Sequence, residues 1–458
     1  MSISRRSFFQ GAAGVAAGFA ALRNITGCDR ASDIKKGGKQ GSGAILEVPP
    51  NFDVRVISKH GELMDDGLIT PGAHDGMCAF ADGGKTVLVC NHELDAGSRD
   101  RGPLGKDGKL ISKIDKSCLY DSGYGERACL GGTTTLVYDT AKRKVERQFA
   151  SLLGTVRNCA GGPTPWGSWI TCEESTVTVD AVYERDHGYN FEVPAKADSG
   201  LVEAVPLTAM GRFNHEAVAV HPRTGIVYQT EDRPDGLIYR FVPKKPGELL
   251  KGGRLQALRV RDAGALDTRN WRAQTVSVGQ TMAVDWVDLE DVESPEDDLR
   301  LQGFYGLKAA RFARGEGMWY GRGSVYFACT NGGRFKKGQI WKYTPGKNEG
   351  RPEESASPGR LQLWVEGDDS GVIDSADNLT MAPWGDVFVC EDRADARLLR
   401  VTPDGKVHLF ARNVASSSEL AGVTFSPDGT TLFVNLQNPG MTVAVTGPWK
   451  ALEGAGVA

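Results

Sequence analysis

The segment RNCAGGPTPWGSWITCEES, Arg157 to Ser175, sets a cysteine before two glycines and a Pro-Trp-Gly turn, then ends a short apolar run in two adjacent glutamates. A thiolate is a soft ligand and a carboxylate a hard one. A site offering both suits a transition metal such as iron. Five other stretches share the layout: DGMCAFADGGKTVLVCNHE, EAVAVHPRTGIVYQTED, EGMWYGRGSVYFACTN, DNLTMAPWGDVFVCED and AGVTFSPDGTTLFVNLQ. Counting six residues back from each turn's proline or its equivalent gives Asp75, Cys159, Glu216, Glu316, Asp377 and Ala421. Five of these six are anionic metal-ligand types. The far ends of the stretches read Asn91-His92-Glu93, Glu173-Glu174, Glu231-Asp232, Thr330-Asn331, Glu391-Asp392 and Leu436-Gln437.

Brought to one place, these carboxylates repel one another, and burying them unpaired costs several kcal/mol each. Lys and Arg are scarce at the same positions. Bound cations resolve the conflict: calcium suits the oxygen-rich part, and iron suits the position of Cys159. The ligand set expected from register is Asp75, Glu93, Cys159, Glu173, Glu174, Glu216, Glu316, Asp377 and Glu391. The plainer alternative is a solvated acidic rim with no ion.

The elements that must position these residues are β-hairpins. Each stretch is an apolar strand, a turn carrying Gly and usually Pro or Asp, and a second apolar strand. Six copies separated by long loops predict an all-β, six-bladed propeller, with a β-sandwich as the competing arrangement. Residues 45–458 are expected to form this single catalytic domain. If the first strand of each pair is innermost, its start and the end of the second strand share one mouth of the central channel.

The cysteines sort by place. Cys90, Cys172 and Cys390 recur mid-strand as small packed residues. Cys329 sits one step further along a strand and is expected to be buried. Cys118 and Cys129 share a Gly-rich loop, where a disulfide is one outcome in an oxidising compartment. Cys159 alone stands at the ligand register. His92 and His215 flank expected ligands and would support them from behind; His74 reads equally well as a loop residue.

At the start of the chain, SRRSFF (residues 4–9) precedes an apolar Gly/Ala-rich stretch, Gly11 to Leu22. That stretch is far short of the roughly 20 apolar residues that span a bilayer. The twin arginines point to export by the Tat machinery, which carries folded proteins, and so to a periplasmic or exported protein. Residues 1–28 end Ile25-Thr26-Gly27-Cys28, either a lipobox that would anchor the protein through Cys28 or an ordinary cleavage site beside an incidental cysteine. Residues 29–44 read as a flexible linker. Formal net charge is −4, which offers no basic footprint for nucleic acid.

NCAGGPTPWGSWITCEE, the Asn91-His92-Glu93 triplet, GRFNHEAV from Gly211 and the twin-arginine signal together resemble the PhoX alkaline phosphatases. The resemblance spans about Asp75 to Asp392, and the Cys-to-Glu-Glu segment is its most specific part. It implies an exported six-bladed propeller that hydrolyses phosphate esters with ferric iron and calcium. It also implies roles position by position. Cys159 matches the iron-binding cysteine. Glu216 and Glu316 match glutamate ligands, and Glu174, with Glu173 beside it, matches the Cys-Glu-Glu segment. Arg314, two residues before Glu316, falls where the family has its phosphate-contacting arginine. Asp75, Asp377 and Glu391 rest mainly on register. The spacing between motifs is shorter here than in longer members, which leaves substrate range open.

The residue chemistry agrees with that resemblance. A phosphomonoester dianion needs the sign of a carboxylate ring reversed, which metals do, and Arg314 offers an always-charged bidentate contact. Arg314 also has a structural alternative, a salt bridge to a neighbouring carboxylate. Asp374-Ser375-Ala376 spells a serine-phosphatase tripeptide, a weak signal in an all-β chain. Gly-x-Ser-x-Gly, His-Glu-x-x-His and P-loop motifs are absent. Two other readings stay open. One is a calcium-dependent propeller lactonase or organophosphate hydrolase, which needs no thiolate. The other is a non-enzymatic binding propeller.

Overall fold

The computed structural model describes residues 44–294 and 298–453. The twin-arginine segment, Cys28 and nearly all of the expected linker lie outside the described residues.

The domain is all-β and built from up-and-down meanders. Each of the six stretches supplies an innermost strand: His74–Asp82, Asn158–Pro163, His215–Val220, Gly315–Gly321, Ala376–Met381 and Leu420–Phe425. Each pairs antiparallel with the next strand of its own meander. The inner strands neighbour one another in chain order, and the last packs against the first, so they close a ring around one axis. Hydrogen bonding groups the strands into five sheets, because Thr281–Asp288 bridges the outer edges of the third and fourth meanders into one nine-stranded sheet. The ring is closed by an N-terminal strand: Asp53–Lys59 pairs with Met441–Thr446 as the outer edge of the sixth blade. Leu46–Glu47 similarly adds to the edge of the fifth.

Blades pack face to face, so a strand inside one is apolar on both sides. VFVCE of Val387–Glu391 and TLFVNL of Thr431–Leu436 are buried throughout. Burial of this kind stabilises by roughly 25 cal/mol per Å² of apolar surface. The seam between the fifth and sixth blades is aromatic, with Phe52 edge-on to Trp449 at 4.7 Å and Trp449 stacked on Phe410 at 5.4 Å.

One local irregularity recurs in all six blades. The pairing of the inner strand shifts register at its start: between His74 and Met77, Asn158 and Gly161, His215 and Val218, Gly315 and Met318, Ala376 and Leu379, and Ala421 and Thr424. A bulge frees a residue from the ladder and re-aims its side chain. The freed residue is Asp75, Cys159, Glu216, Glu316 or Asp377 in the first five blades. In the sixth the ladder is interrupted one step later, at Gly422 and Val423. Ala421 is still paired, to Asn435.

The bulges also let adjacent backbones approach closely around the axis. A Cβ added to Gly162 would lie 1.9 Å from the Val218 carbonyl oxygen, and one on Gly317 would lie 2.6 Å from the Asn378 Cα.

Candidate metal centre

The bulged residues converge. Ligand atoms of Cys159, Glu174 and Glu216 lie within 4.8 Å of one another, as do those of Glu216, Glu316 and Asp377, and those of Asp75, Glu93 and Glu419. Glu216 belongs to two of these groups. Cys159 is held by its environment, with Sγ 3.3 Å from the His215 carbonyl oxygen. Gln437 Nε2 donates to Glu93 Oε2 at 2.8 Å and to Asp75 Oδ2 at 3.3 Å.

Strand alternation sorts the second ring of residues. Where each second strand ends, one residue turns into its blade and the next faces the mouth. Glu174, Glu93, Asp232 and Asp392 are the outward members. Glu173 is the inward neighbour of Glu174, and the structure does not bring it to the cluster. Its carboxylate accepts from Val156 N at 2.9 Å, Gly188 N at 2.8 Å and Tyr189 N at 3.2 Å, and pairs with His187 Nδ1 at 2.6 Å. Glu391 is likewise turned away from the mouth. Its Oε2 accepts from Arg397 Nε at 2.6 Å, and its Oε1 accepts from Asp374 N at 2.8 Å and from Arg397 Nη2. Both positions were expected as ligands because sequence alone does not say which of two adjacent acids points outward.

The structure also places the cysteines and histidines whose roles the sequence left open. Cys118 and Cys129 are both free thiols. Cys129 instead packs beside His187, which bridges Glu173 and, through Nε2, Asp121 Oδ2 at 3.1 Å. Burial opposes a charge on His187, but the two carboxylates hold its imidazolium protonated up to about 12. His74 begins an inner strand and is buried, with Nε2 on the Pro71 carbonyl and Nδ1 on Thr442 Oγ1. His92 and His215 are buried against the carbonyls of Gly72 and Gly211. Glu173→Gln should therefore destabilise the fold by on the order of 3 kcal/mol, because a buried cation loses a partner. Metal content per folded chain should stay at the wild-type level. Thermal unfolding with elemental analysis checks this; normal stability with lost metal would put Glu173 in the cluster after all.

The cluster is electrostatically incomplete as a set of protein groups. Burial, then mutual repulsion, raises its acids: Glu174 is pushed up to about 8, Asp377 to about 7 and Glu419 to about 11. Asp75, Glu216 and Glu316 are also raised well above the carboxylate range, first by burial and then by Glu93, Glu316 and Asp232 respectively. Burial, with Glu216 and Glu174 nearby, pushes up the Cys159 thiol as well. So many buried acids around one axis, with a thiol among them, fit bound cations: the ions remove the repulsion and displace the protons. Two guanidiniums face the group. Arg314 binds Asp232 through Nε and Nη2, both at 2.8 Å, and its Nη2 also reaches Glu316 Oε1 at 2.8 Å. Arg157 pairs with Glu93 at 2.6 Å and with Glu174.

The sequence model of the alkaline phosphatase PhoX family matches residues 36–440. The chain belongs to the PhoX family. It is a metal-dependent phosphoric ester hydrolase. Among solved structures it is similar to Pseudomonas fluorescens PhoX in complex with vanadate, a transition state analogue, at 18% identity and a TM-score of 0.65, covering 88% of this chain and 96% of that one. A gluconolactonase from Xanthomonas campestris aligns over 90% of this chain and 99% of that one, at 12% identity and a TM-score of 0.38. No curated protein matches. PhoX membership gives the convergent acids a use, and the geometry adds four residues to those expected. Arg157, Asp232, Asp392 and Glu419 were not among the expected site residues. Arg157 was legible in principle, since it precedes Cys159 by the same two residues that separate Arg314 from Glu316. Asp232 and Asp392 were legible as the outward member of each acidic pair. Glu419 was legible by the same step, since it stands two residues before Ala421, immediately ahead of the sixth inner strand.

Proposed function

We propose that the protein hydrolyses small phosphate monoesters at alkaline pH outside the cytoplasm, with iron and calcium at the mouth of its channel. The observation that carries this is the sharing of Glu216 between a thiolate-containing group and an all-carboxylate group. Iron would be held by Cys159, Glu174 and Glu216. Calcium would be held by Glu216, Glu316 and Asp377, and again by Asp75, Glu93 and Glu419. Bound there, the ions would polarise phosphoryl oxygens, offset the charge of the ester and supply an activated oxygen nucleophile.

The chain's own groups do the rest. The bulged strands hold the ligands in a buried site where electrostatic interactions are little screened. Arg314 presents a planar fork whose orientation is fixed by Asp232, ready to bind a phosphoryl oxygen without rotamer loss. Arg314→Ala should lower kcat/KM roughly 30- to 1,000-fold, the effect of losing on the order of 2–4 kcal/mol of transition-state stabilisation. Metal content should be nearly unchanged and inhibition by inorganic phosphate weaker; full turnover with full inhibition would make Arg314 a strut for Asp232 alone.

The deciding experiment is elemental analysis of protein folded with its metals, paired with a p-nitrophenyl phosphate assay. Calcium without iron, with turnover retained, would replace the mixed centre by a calcium-only one. No ester turnover under any metal condition would remove the proposal. Export rests on Arg5-Arg6, and attachment to the membrane on Cys28; retention of an Arg5→Lys/Arg6→Lys variant in the cytoplasm would support Tat transport.

A further inference from the structure

Arg157 and Arg314 repeat one construction in two blades. Each stands two residues before a bulged ligand, Cys159 or Glu316, and each has a left-handed backbone, with φ of 47° and 52°. Ala73 and Ser375 hold the same step before Asp75 and Asp377, also left-handed, at 47° and 60°. The kinked approach is thus a feature of the ring, and the guanidinium is what two blades add to it. A non-glycine residue in this region is strained and persists where its surroundings over-determine it.

Both guanidiniums are held in the same way. Arg157 Nε donates to the Glu174 carbonyl oxygen at 3.1 Å, and Nη2 serves the carboxylates of Glu93 and Glu174. Arg314 uses Nε and Nη2 on Asp232 and Glu316. Among the described residues the hydrogen bonds fall in each case on Nε and Nη2, leaving the two N–H groups of Nη1 for another acceptor. The side chains are 37% and 30% exposed, so that acceptor can come from solution. Arg157 pairs with Glu174 and Arg314 with Asp232 and Glu316, and Glu174 and Glu316 each lie in a ligand group with Glu216, so the two arginines border the same cluster.

We propose that Arg157 is a second oxyanion-binding residue, which with Arg314 brackets the phosphoryl group of the substrate. This rests on the phosphatase reading above and deepens it. A group with two arginines to satisfy is a terminal phosphoryl dianion, whose several unesterified oxygens reach both forks. A diester has fewer to offer. Because Glu93, Glu174 and Asp232 already fix both side chains, little conformational freedom is lost on binding. A strut between the first two blades would need the same carboxylate contacts but not an open Nη1.

The test uses the full metal-loaded chain and inorganic phosphate as the probe. Phosphate affinity is read from inhibition and from the rise in melting temperature that phosphate causes, and metal content from elemental analysis. Wild type, Arg157→Ala and Arg157→Lys are compared. Arg157→Ala should keep its metals and bind phosphate about 10- to 100-fold more weakly, the effect of one charge-assisted contact. Arg157→Lys should recover part of this, since a point charge does not reproduce the fork. If Arg157→Ala binds phosphate as the wild type does, even with a lower melting temperature, Arg157 is a strut and the proposal fails. If the alanine variant loses metal, the lysine variant decides: intact metal with full phosphate affinity overturns the proposal, and intact metal with weakened affinity supports it. Wild-type protein that ignores phosphate altogether would overturn the phosphatase reading, and this inference with it.

Discussion

Glu216→Ala is expected to abolish turnover, by at least about 1,000-fold in kcat/KM, and to empty two ligand groups at once. The reason is its position. Its carboxylate lies within 4.8 Å of the Cys159 and Glu174 ligand atoms on one side and of Glu316 and Asp377 on the other. Without it each group drops to two protein ligands, and the cations lose the anchor that fixes their separation. Asp75→Ala is the contrast. It touches only the group with Glu93 and Glu419, so its metal loss should be smaller and confined to one ion. Elemental analysis of both variants beside the p-nitrophenyl phosphate rate checks this. Wild-type metal content in Glu216→Ala would show that the shared carboxylate is not a ligand.

The second large effect is on stability. Metal-free protein should lose stability as pH rises from about 4 to about 8. Glu174 is raised from 4.5 to about 8 and Asp377 from 3.8 to about 7 by burial among other acids. A group whose folded pKa is raised favours folding in its protonated form. Its contribution is complete below the unfolded pKa and is lost as pH passes through the folded one. Removing ions by exhaustive chelation therefore leaves a protein whose melting temperature falls across that window. With metals restored, the same carboxylates are ligands, binding to the native state adds stability, and the fall should be abolished or reversed. Parallel melting curves for chelated and metal-loaded protein at pH 5, 7 and 9 would count against the metal centre.

How much of this was readable beforehand differs from residue to residue. The propeller was legible because each blade repeats one hairpin with its own turn, and because strands buried between blades are apolar on both faces. Asp75, Cys159, Glu216, Glu316 and Asp377 were legible by register, since six equivalent strands place equivalent residues at one height on the axis. In the sixth blade the same count gives Ala421, a residue with no ligand atom, which stays paired to Asn435 while the unpaired residues are Gly422 and Val423.

What only the tertiary structure decided is direction and partnership. Glu173 and Glu174 are neighbours of one chemical type, yet one closes a buried triad with His187 and Asp121 while the other faces the mouth. Glu391 was lost to Arg397, six residues along the chain but opposite it across the sheet. Cys129, for which a disulfide to Cys118 was one open outcome, is a free thiol beside His187. Glu419 joined Asp75 and Glu93 from the far side of the seam that closes the ring. Sequence determines which chemical groups recur at which step of a repeat, because register is local. It does not determine which way a side chain turns at the end of a strand, nor which loop reaches it. Those depend on the closure of the ring, which sets residues far apart in the chain side by side.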